Sequence, residues 1–354
     1  MKTLSLVMIA LNEEKSLRRC LESVKSLVDE IILVDTGSTD ATKMIALDYG
    51  AKVFDFEWTN SFSDARNFAF MQSSSDWNLV LDADEYITND CFIAIKEFIN
   101  TKVAIGRVKI INAFMEEGML CHSQSITSRI FPRGLSYTGK IHEQVEADLP
   151  RLILPIEVQH DGYIQGSKSG RNIPLLELEI KNDANNPYYY FQIAREYKGI
   201  QRLDLALSNY AKAYALLTKK ENYAPNAIVE YLYCIISGGN LAKGLSIIES
   251  EDRYLKRFPD FHFLKGVYFL EIMISDPTTY IYLLPKIEQA YKTCIELGET
   301  NEYDSVIGTG SFAAYYNLGV FYEVTGQVEK AQTCYRKSAD YNYRPAKERV
   351  IQSD

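Results

Sequence analysis

Several features are scarce or missing in this 354-residue chain, and each absence narrows what the protein can be. No stretch approaches the ~18 consecutive apolar residues that a helical membrane span requires. Lys and Arg form no long block and the net charge is −9, so a non-specific grip on nucleic acid or anionic lipid is not expected. The six cysteines (Cys20, Cys91, Cys121, Cys234, Cys294, Cys334) are scattered without a CxxC pair, which signals neither a zinc site nor a redox motif. Reduced thiols in a cytoplasmic protein are the expectation. Neither GxxxxGK[ST] nor GxGxxG occurs, which excludes a P-loop and the usual dinucleotide turn. The N-terminal MKTLSLVMIAL has no small-residue cleavage site and runs straight into Asn12-Glu13-Glu14-Lys15, so it reads as a buried strand and not as a signal peptide.

What is present has two rhythms. Hydrophobic residues make up 47% and charged residues 24%, ordinary for a soluble globular chain long enough for two domains. Residues 1–150 alternate short apolar runs at 4–11, 30–35, 51–56 and 77–81 with helical spacing at 15–27, 39–49 and 64–72. Ser38 or Thr39 is placed to cap the second helix. Strand–helix–strand repetition with continuous apolar strands predicts an α/β domain whose mainly parallel sheet is covered on both faces. Ligands of such sheets bind beyond the carboxyl ends of the strands. Residues 151–186 read as a linker with a polar, glycine-bearing loop, QHDGYIQGSKSGRN, ending in an amphipathic helix over 173–181.

From 187 to 354 the pattern is helical. Two windows match a 34-residue helical-hairpin repeat of tetratricopeptide type. In PYYYFQIAREYKGIQRLDLALSNYAKAY, the large and small positions are Tyr190, Ile193, Ala194, Tyr197, Ala206, Tyr210 and Ala213. In AAYYNLGVFYEVTGQVEKAQTCYRKSADY they are Tyr315, Leu318, Gly319, Tyr322, Ala331, Tyr335 and Ser338. The intervening 225–298 looks helical but fits the repeat poorly. Such arrays bind peptides or mediate assembly, including pairing of two copies; buttressing the first domain is the alternative.

The polar residues of the first domain gather where the predicted strands end: Asn12-Glu13-Glu14, then Asp35 through Asp40, then Asp82-Ala83-Asp84-Glu85. An Asp-x-Asp offers hard oxygen ligands for Mg²⁺ or Mn²⁺, which is typically held by one or two carboxylates plus substrate phosphates. Alone, the triplet reads better as a solvated strand end than as a metal site. Beside it, Asn12, Glu13, Asp35 and Asp40 are suited to accept from ribose hydroxyls or base N–H groups, and Arg66 in SFSDARNFAF is suited to a phosphate. Together these describe a nucleoside-diphosphate pocket. Tyr137 and Trp58 suit sugar stacking or core packing. Arg129 and Arg133 in SRIFPR suit phosphate or a solvated surface.

The ordered motifs LVMIALNEEKSLRRCLESV, EIILVDTGSTDAT, SFSDARNFAF and WNLVLDADE closely resemble family 2 glycosyltransferases of the GT-A fold. The resemblance is close over the first 90 residues or so and looser through SRIFPR, GKIHEQV and VQHDGY. It implies a GT-A domain over 1–150, completed by 151–186, and transfer of a hexose with inversion from a nucleoside-diphosphate sugar, most often a UDP sugar such as UDP-glucose. Ala10, Asn12 and Glu13 would line the nucleotide, Asp35 the base, and Arg66 the nucleotide or pyrophosphate. Asp82 would sit by the ribose or the metal, and Asp84 would ligate the divalent ion, Mg²⁺ or Mn²⁺. His160 would be a further metal ligand. Glu143 would be the general base with His142 orienting it or lining the site. A transferase domain followed by tetratricopeptide-like helices also resembles bacterial S-glycosyltransferases that modify a cysteine in glycocin peptides. A peptide or protein acceptor leads over a surface or lipid-linked glycan. A non-catalytic helical-repeat scaffold and a nucleotidyltransferase are the readings of other classes.

Overall fold

The computed structural model describes residues 1–116, 118–161, 169–238 and 240–350, and the chain divides into two compact units, Met1–Ala184 and Asn185–Asp354. In the first unit the strands are β1 (Leu4–Ala10), β2 (Glu30–Asp35), β3 (Lys52–Asp55), β4 (Trp77–Val80), β5 (Glu85–Ile87), β6 (Ile105–Glu116), β7 (Met119–Pro132), β8 (Tyr137–Thr138), β9 (Gln144–Val145) and β10 (Arg151–His160). Its helices are α1 (Leu17–Val24), α2 (Thr42–Asp48), α3 (Phe62–Gln72), α4 (Phe92–Thr101) and α5 (Ser169–Asn182). The main sheet runs β3-β2-β1-β4-β7-β6-β10-β5, and β8 pairs with β9 apart from it.

Burial explains the apolar strands. Leu4, Leu6, Met8 and Ala10 share one buried cluster with Leu17, Cys20, Leu21 and Val24 of α1. Val7, pointing the other way, joins Ala69 and Phe70 of α3. A strand covered on both faces cannot show a polar alternation. The first four strands in the order are parallel to one another, as expected. The sheet is nonetheless mixed: β7 is antiparallel to β4 and β6, and β5 is antiparallel to β10. The β6–β7 hairpin, whose apolar residues are interrupted by Arg107, Lys109, Asn112 and the run Ser123-Gln124-Ser125, lacks the continuous apolar signature of the parallel strands.

Two expectations are corrected. The helix start placed at Ser38 or Thr39 lies later. Asp40 Oδ1 accepts from the backbone N of Thr42 at 2.9 Å, while Ser38 and Thr39 serve Asn12 instead. Residues 151–160, expected as linker, form β10 inside the sheet between β6 and β5. Of the expected mobile loop, Gln159 and His160 end β10 and 169–172 begin α5; residues 162–168 lie outside the described residues.

The second unit contains α6 (Pro187–Gly199), α7 (Leu203–Leu216), α8 (Ala224–Gly238), α9 (Leu241–Glu251), α10 (Pro259–Ser275), α11 (Pro277–Tyr280), α12 (Leu284–Leu297), α13 (Phe312–Val324), α14 (Val328–Ala339) and α15 (Arg344–Lys347). The two repeat windows fold as the pairs α6/α7 and α13/α14. All of their named positions are buried except Tyr197 and Tyr315, which are half-buried. A Cβ on Gly319 would lie 2.7 Å from the Tyr335 ring, so only glycine permits that approach. Gly266 on α10 stands in the same relation to Tyr291 on α12, which extends the small-against-aromatic rule into the segment where no repeat was legible. The reason for the poor match is the connection: Pro277, α11 and a short 3-10 turn over Ile281–Leu283 separate α10 from α12. Tyrosine hydroxyls donate to glutamates repeatedly, Tyr210 to Glu230 at 3.0 Å, Tyr214 to Glu251 at 2.7 Å and Tyr322 to Glu288 at 2.7 Å. Among the described residues no helix is long and apolar enough to cross a membrane.

Candidate active site

Two networks occupy the carboxyl ends of the first unit's strands. The first ties the end of β1 to the end of β2. The Ala10 carbonyl accepts from Thr36 N at 3.0 Å, and Asn12, at a positive φ of 56°, accepts from Thr39 N at 2.8 Å through its Oδ1. Asn12 N and Glu13 N donate to Ser38 Oγ and Thr42 Oγ1 at 2.9 and 2.7 Å. Asp40, a ribose candidate, accepts from Glu14 N at 3.1 Å as well as from Thr42. Asp35 is 1% exposed. Its Oδ2 accepts from Gly37 N and Ser38 N at 3.1 and 2.9 Å, while its Oδ1 is buried without a hydrogen-bond partner among the described residues. A buried carboxylate oxygen left unpaired is costly, and such an atom is a mark of a site.

The second network is built on the turn that follows β4. Asp82-Ala83-Asp84-Glu85 leads from β4 to β5 at the far edge of the sheet, and the strands between them in the order supply Arg129 from β7, Asn112 from β6 and His160 from β10. Arg66 comes from α3, where it is nine-tenths buried. Its Nη2 donates to Asp82 Oδ1 at 2.8 Å and its Nε to Glu143. Arg129 Nη2 donates to Glu85 Oε1 and lies 3.4 Å from Asp82 Oδ2. Burial by itself would raise the pKa of Asp82, but Arg66 and Arg129 overrule it and hold the carboxyl well below the usual range. Burial pushes Glu85 up, with Arg129 opposing.

His160 Nε2 is 3.5 Å from Asp84 Oδ2, and its Nδ1 is 2.8 Å from Asn112 Oδ1. Burial would lower the imidazole's pKa; the bond and charge of Asp84 outweigh it and raise the value. Among the described residues no group of three or more His, Cys, Asp or Glu is assembled to hold a metal ion. Asp84 and His160 are the two side chains here that would hold a divalent ion, with substrate phosphate and water supplying its remaining ligands. Asn112 orients the ring as an outer partner of a ligand would. Asp82, expected to share the metal, faces the two guanidiniums.

His142 takes a positive φ of 52°, in a loop whose Lys140 carbonyl accepts from Phe62 N at the start of α3 at 2.8 Å. Lys140 N donates to Glu179 Oε1 of α5 at 2.9 Å, which anchors this loop to the last helix of the unit. Tyr137 is core, packed on Phe70 and Phe131. Trp58 meets Phe62 edge-on, and exposed Arg133 donates to the Ser74 carbonyl at 3.3 Å. Glu85 and Arg129, ambiguous in the sequence, belong to the cluster. Asn112 and Arg19 carry no motif in the sequence that marks them for the site. Arg19 lies 2.7 Å from Asp161 and stacks 3.9 Å over Tyr86. The signal for Asn112 was a lone amide within the apolar run Ile110–Phe114.

Residues 5–142 match the family model for glycosyl transferase family 2. The first unit carries a family 2 glycosyltransferase domain. The chain is 30% identical over 230 residues to the SPbeta prophage-derived glycosyltransferase SunS of Bacillus subtilis, covering 59% of this chain and 54% of that protein. It is 36% identical over 154 residues to a TPR repeat-containing protein of Synechococcus elongatus, covering 43% of this chain and 38% of that protein. The chain thus spans about half the length, or less, of these curated relatives. Among solved structures, MamA aligns at a TM-score of 0.39 and 16% identity over 51% of this chain and 91% of MamA. The Mycobacterium tuberculosis glucosyl-3-phosphoglycerate synthase in complex with Mn²⁺, UDP and phosphoglyceric acid aligns at a TM-score of 0.26 and 27% identity, covering 31% of this chain and 43% of that one.

Proposed function

We propose that the protein is a metal-dependent, inverting glycosyltransferase that moves a hexose from a nucleoside-diphosphate sugar, a UDP sugar, to a peptide side chain such as cysteine or serine. The observation that carries this reading is the convergence of Arg66, Asp82, Asp84, Glu143 and His160 on one strand edge of a family 2 domain. Ala10, Asn12, Glu13 and Asp35 form the nucleotide end, supported by the unpartnered buried Oδ1 of Asp35.

The leaving group gains charge as the glycosidic bond breaks. Asp84 and His160 would hold Mg²⁺ or Mn²⁺, which supplies Lewis-acid stabilisation of that charge when bound. Arg66 stabilises the diphosphate from the other side. Inversion is a single displacement and needs no covalent nucleophile. Glu143 takes the acceptor proton, and Arg66 Nε fixes its orientation while His142 lines the site. A cysteine thiolate asks less of this base than a serine hydroxyl.

In this reading residues 1–150 bind the donor, 151–186 complete the site and the helical unit from 187 to 354 recruits the acceptor. The tetratricopeptide-like pairs support a peptide partner. Exposed Ile274, Ile281 and Tyr282 around α11 support a homodimer through the helical unit, read by light scattering. A cytoplasmic location fits six scattered cysteines without a CxxC pair.

The deciding experiment is nucleoside-diphosphate release from a donor panel with Mn²⁺, with and without EDTA, with mass spectrometry of peptides encoded beside the gene. Metal-dependent release with a mass gain on a peptide is expected. A mass gain only on a glycan moves the acceptor class. Release of pyrophosphate points to a nucleotidyltransferase, and neither turnover nor nucleotide-sugar binding leaves the scaffold.

A further inference from the structure

The turn Asp82–Glu85 is clamped from within. Glu85 N donates to the Asp82 carbonyl at 3.0 Å, and Glu85 Oε2 accepts from Asp82 N at 3.0 Å, so backbone and side chain of one residue close the turn on both sides. The other oxygen, Oε1, takes Arg129, whose Nη2 also reaches Asp82 Oδ2. Glu85 is 2% exposed and has no path to a ligand, yet both of its oxygens act on Asp82, one through the backbone and one through Arg129. The same residue starts β5 and stands opposite His160 in the antiparallel β5–β10 ladder. Directly opposed residues share a face, so a shift of Glu85 carries the Asp84–His160 approach with it.

We infer that Glu85 and Arg129 act together as a positioning pair, which sets the Asp82 carboxylate against Arg66 and holds the turn that presents Asp84 to His160. A carboxylate buried for stability alone needs no link to two functional side chains. A pair whose members act through others should behave as one unit when removed. This inference rests on the transferase reading above.

The test uses the whole chain carrying Glu85→Gln, Arg129→Gln or both substitutions together, Glu85→Gln/Arg129→Gln. Each is compared with wild type for melting temperature, kcat and donor KM in nucleoside-diphosphate release, and affinity for Mn²⁺ alone. Loss of an outer-shell partner typically costs ~10–100-fold in activity or metal affinity. That loss is expected in kcat for both single variants, with donor KM changed far less. The double variant, which buries two neutral amides, should be no worse than the weaker single variant. A lowered melting temperature with unchanged kcat, or losses in the single variants that simply add, would overturn the pairing. If wild type releases nothing from any donor, the transferase reading fails on its own, and Mn²⁺ affinity decides this inference: a fall of about tenfold or more in Glu85→Gln sustains it, and unchanged affinity overturns it.

Discussion

The two ends of the parallel strands treat buried carboxylates in opposite ways. At the amino end, Glu30 at the start of β2 accepts from Ser5 Oγ at 2.6 Å, Ser74 N and Oγ at 2.9 Å each, and Lys52 Nζ at 2.6 Å. Ser73 Oγ backs Ser5 at 3.0 Å. One anion meets one cation, and both oxygens are served. At the carboxyl end, Asp82, Glu85 and Glu143 share two guanidiniums. Asp35 Oδ1, Arg66 Nη1 and Arg129 Nε are buried there without hydrogen-bond partners among the described residues. Among the described residues the amino end leaves one buried amide oxygen, Asn78 Oδ1, without a partner, while the carboxyl end leaves three atoms of charged side chains so. Uncommitted capacity has a stability cost, and its concentration at the end where a ligand would sit is what separates a working edge from a structural one.

Substitutions at each end sharpen that contrast. The largest effect is expected from Asp84→Ala, which should abolish metal-dependent turnover; full activity in the EDTA-controlled assay would remove Asp84 from the metal site. Glu143→Gln should slow transfer by ~10²–10⁴-fold with donor affinity retained. If kcat is unchanged, the base lies elsewhere, with His142 the next to test. Arg66→Met should do damage of both kinds. It leaves Glu143 unpaired and Asp82 with a single guanidinium, so urea unfolding should show a loss of ~3–5 kcal/mol in addition to lost turnover. At the amino end Glu30→Gln should cost ~1–3 kcal/mol in unfolding and leave kcat of the folded enzyme alone.

The smallest effect is a slope. Burial would raise the pKa of Glu30, but Lys52, Ser5 and Ser74 overrule it and bring it down to about 2. The unfolded value is ~4.3. The unfolded chain therefore binds the proton first as pH falls. The stabilisation from Glu30 is complete above the unfolded value and is lost on descent towards 2. Unfolding free energies measured from pH 5 downwards should fall less steeply in Glu30→Gln than in wild type. Equal slopes would mean that Glu30 is not the tightly held group described.

Much of this contrast was written in the chain. Continuous apolar runs announced β1, β2 and β4, and their polar ends marked the edge where the ligand is proposed to sit, because a parallel strand buried on both faces carries its charge at its ends. The partners of that charge were harder to see. Arg129 and Asn112 sit in a hairpin that meets β4 and β10 through pairings of residues far apart in sequence, and β10 became a sheet strand through pairing with β6 and β5. Local pattern carries no record of such pairings. Asp82 read as a metal or ribose ligand because nothing in DADE shows that two arginines from α3 and β7 converge on it. In the helical unit, the α6/α7 and α13/α14 pairs kept the repeat spacing, while Pro277 and α11 hid the α10/α12 pair.

Glu179 bears on where the chain can be divided. Its carboxylate holds the backbone of Lys140, two residues before His142, from a helix that ends at Asn182. A fragment stopped at residue 150 would keep Arg66, Asp82, Asp84 and Glu143 but release their loop from its mooring and open the sheet at β6. The shortest piece with a chance of independent catalysis therefore runs through Asn182, and limited proteolysis should find its resistant boundary beyond α5, not before β10.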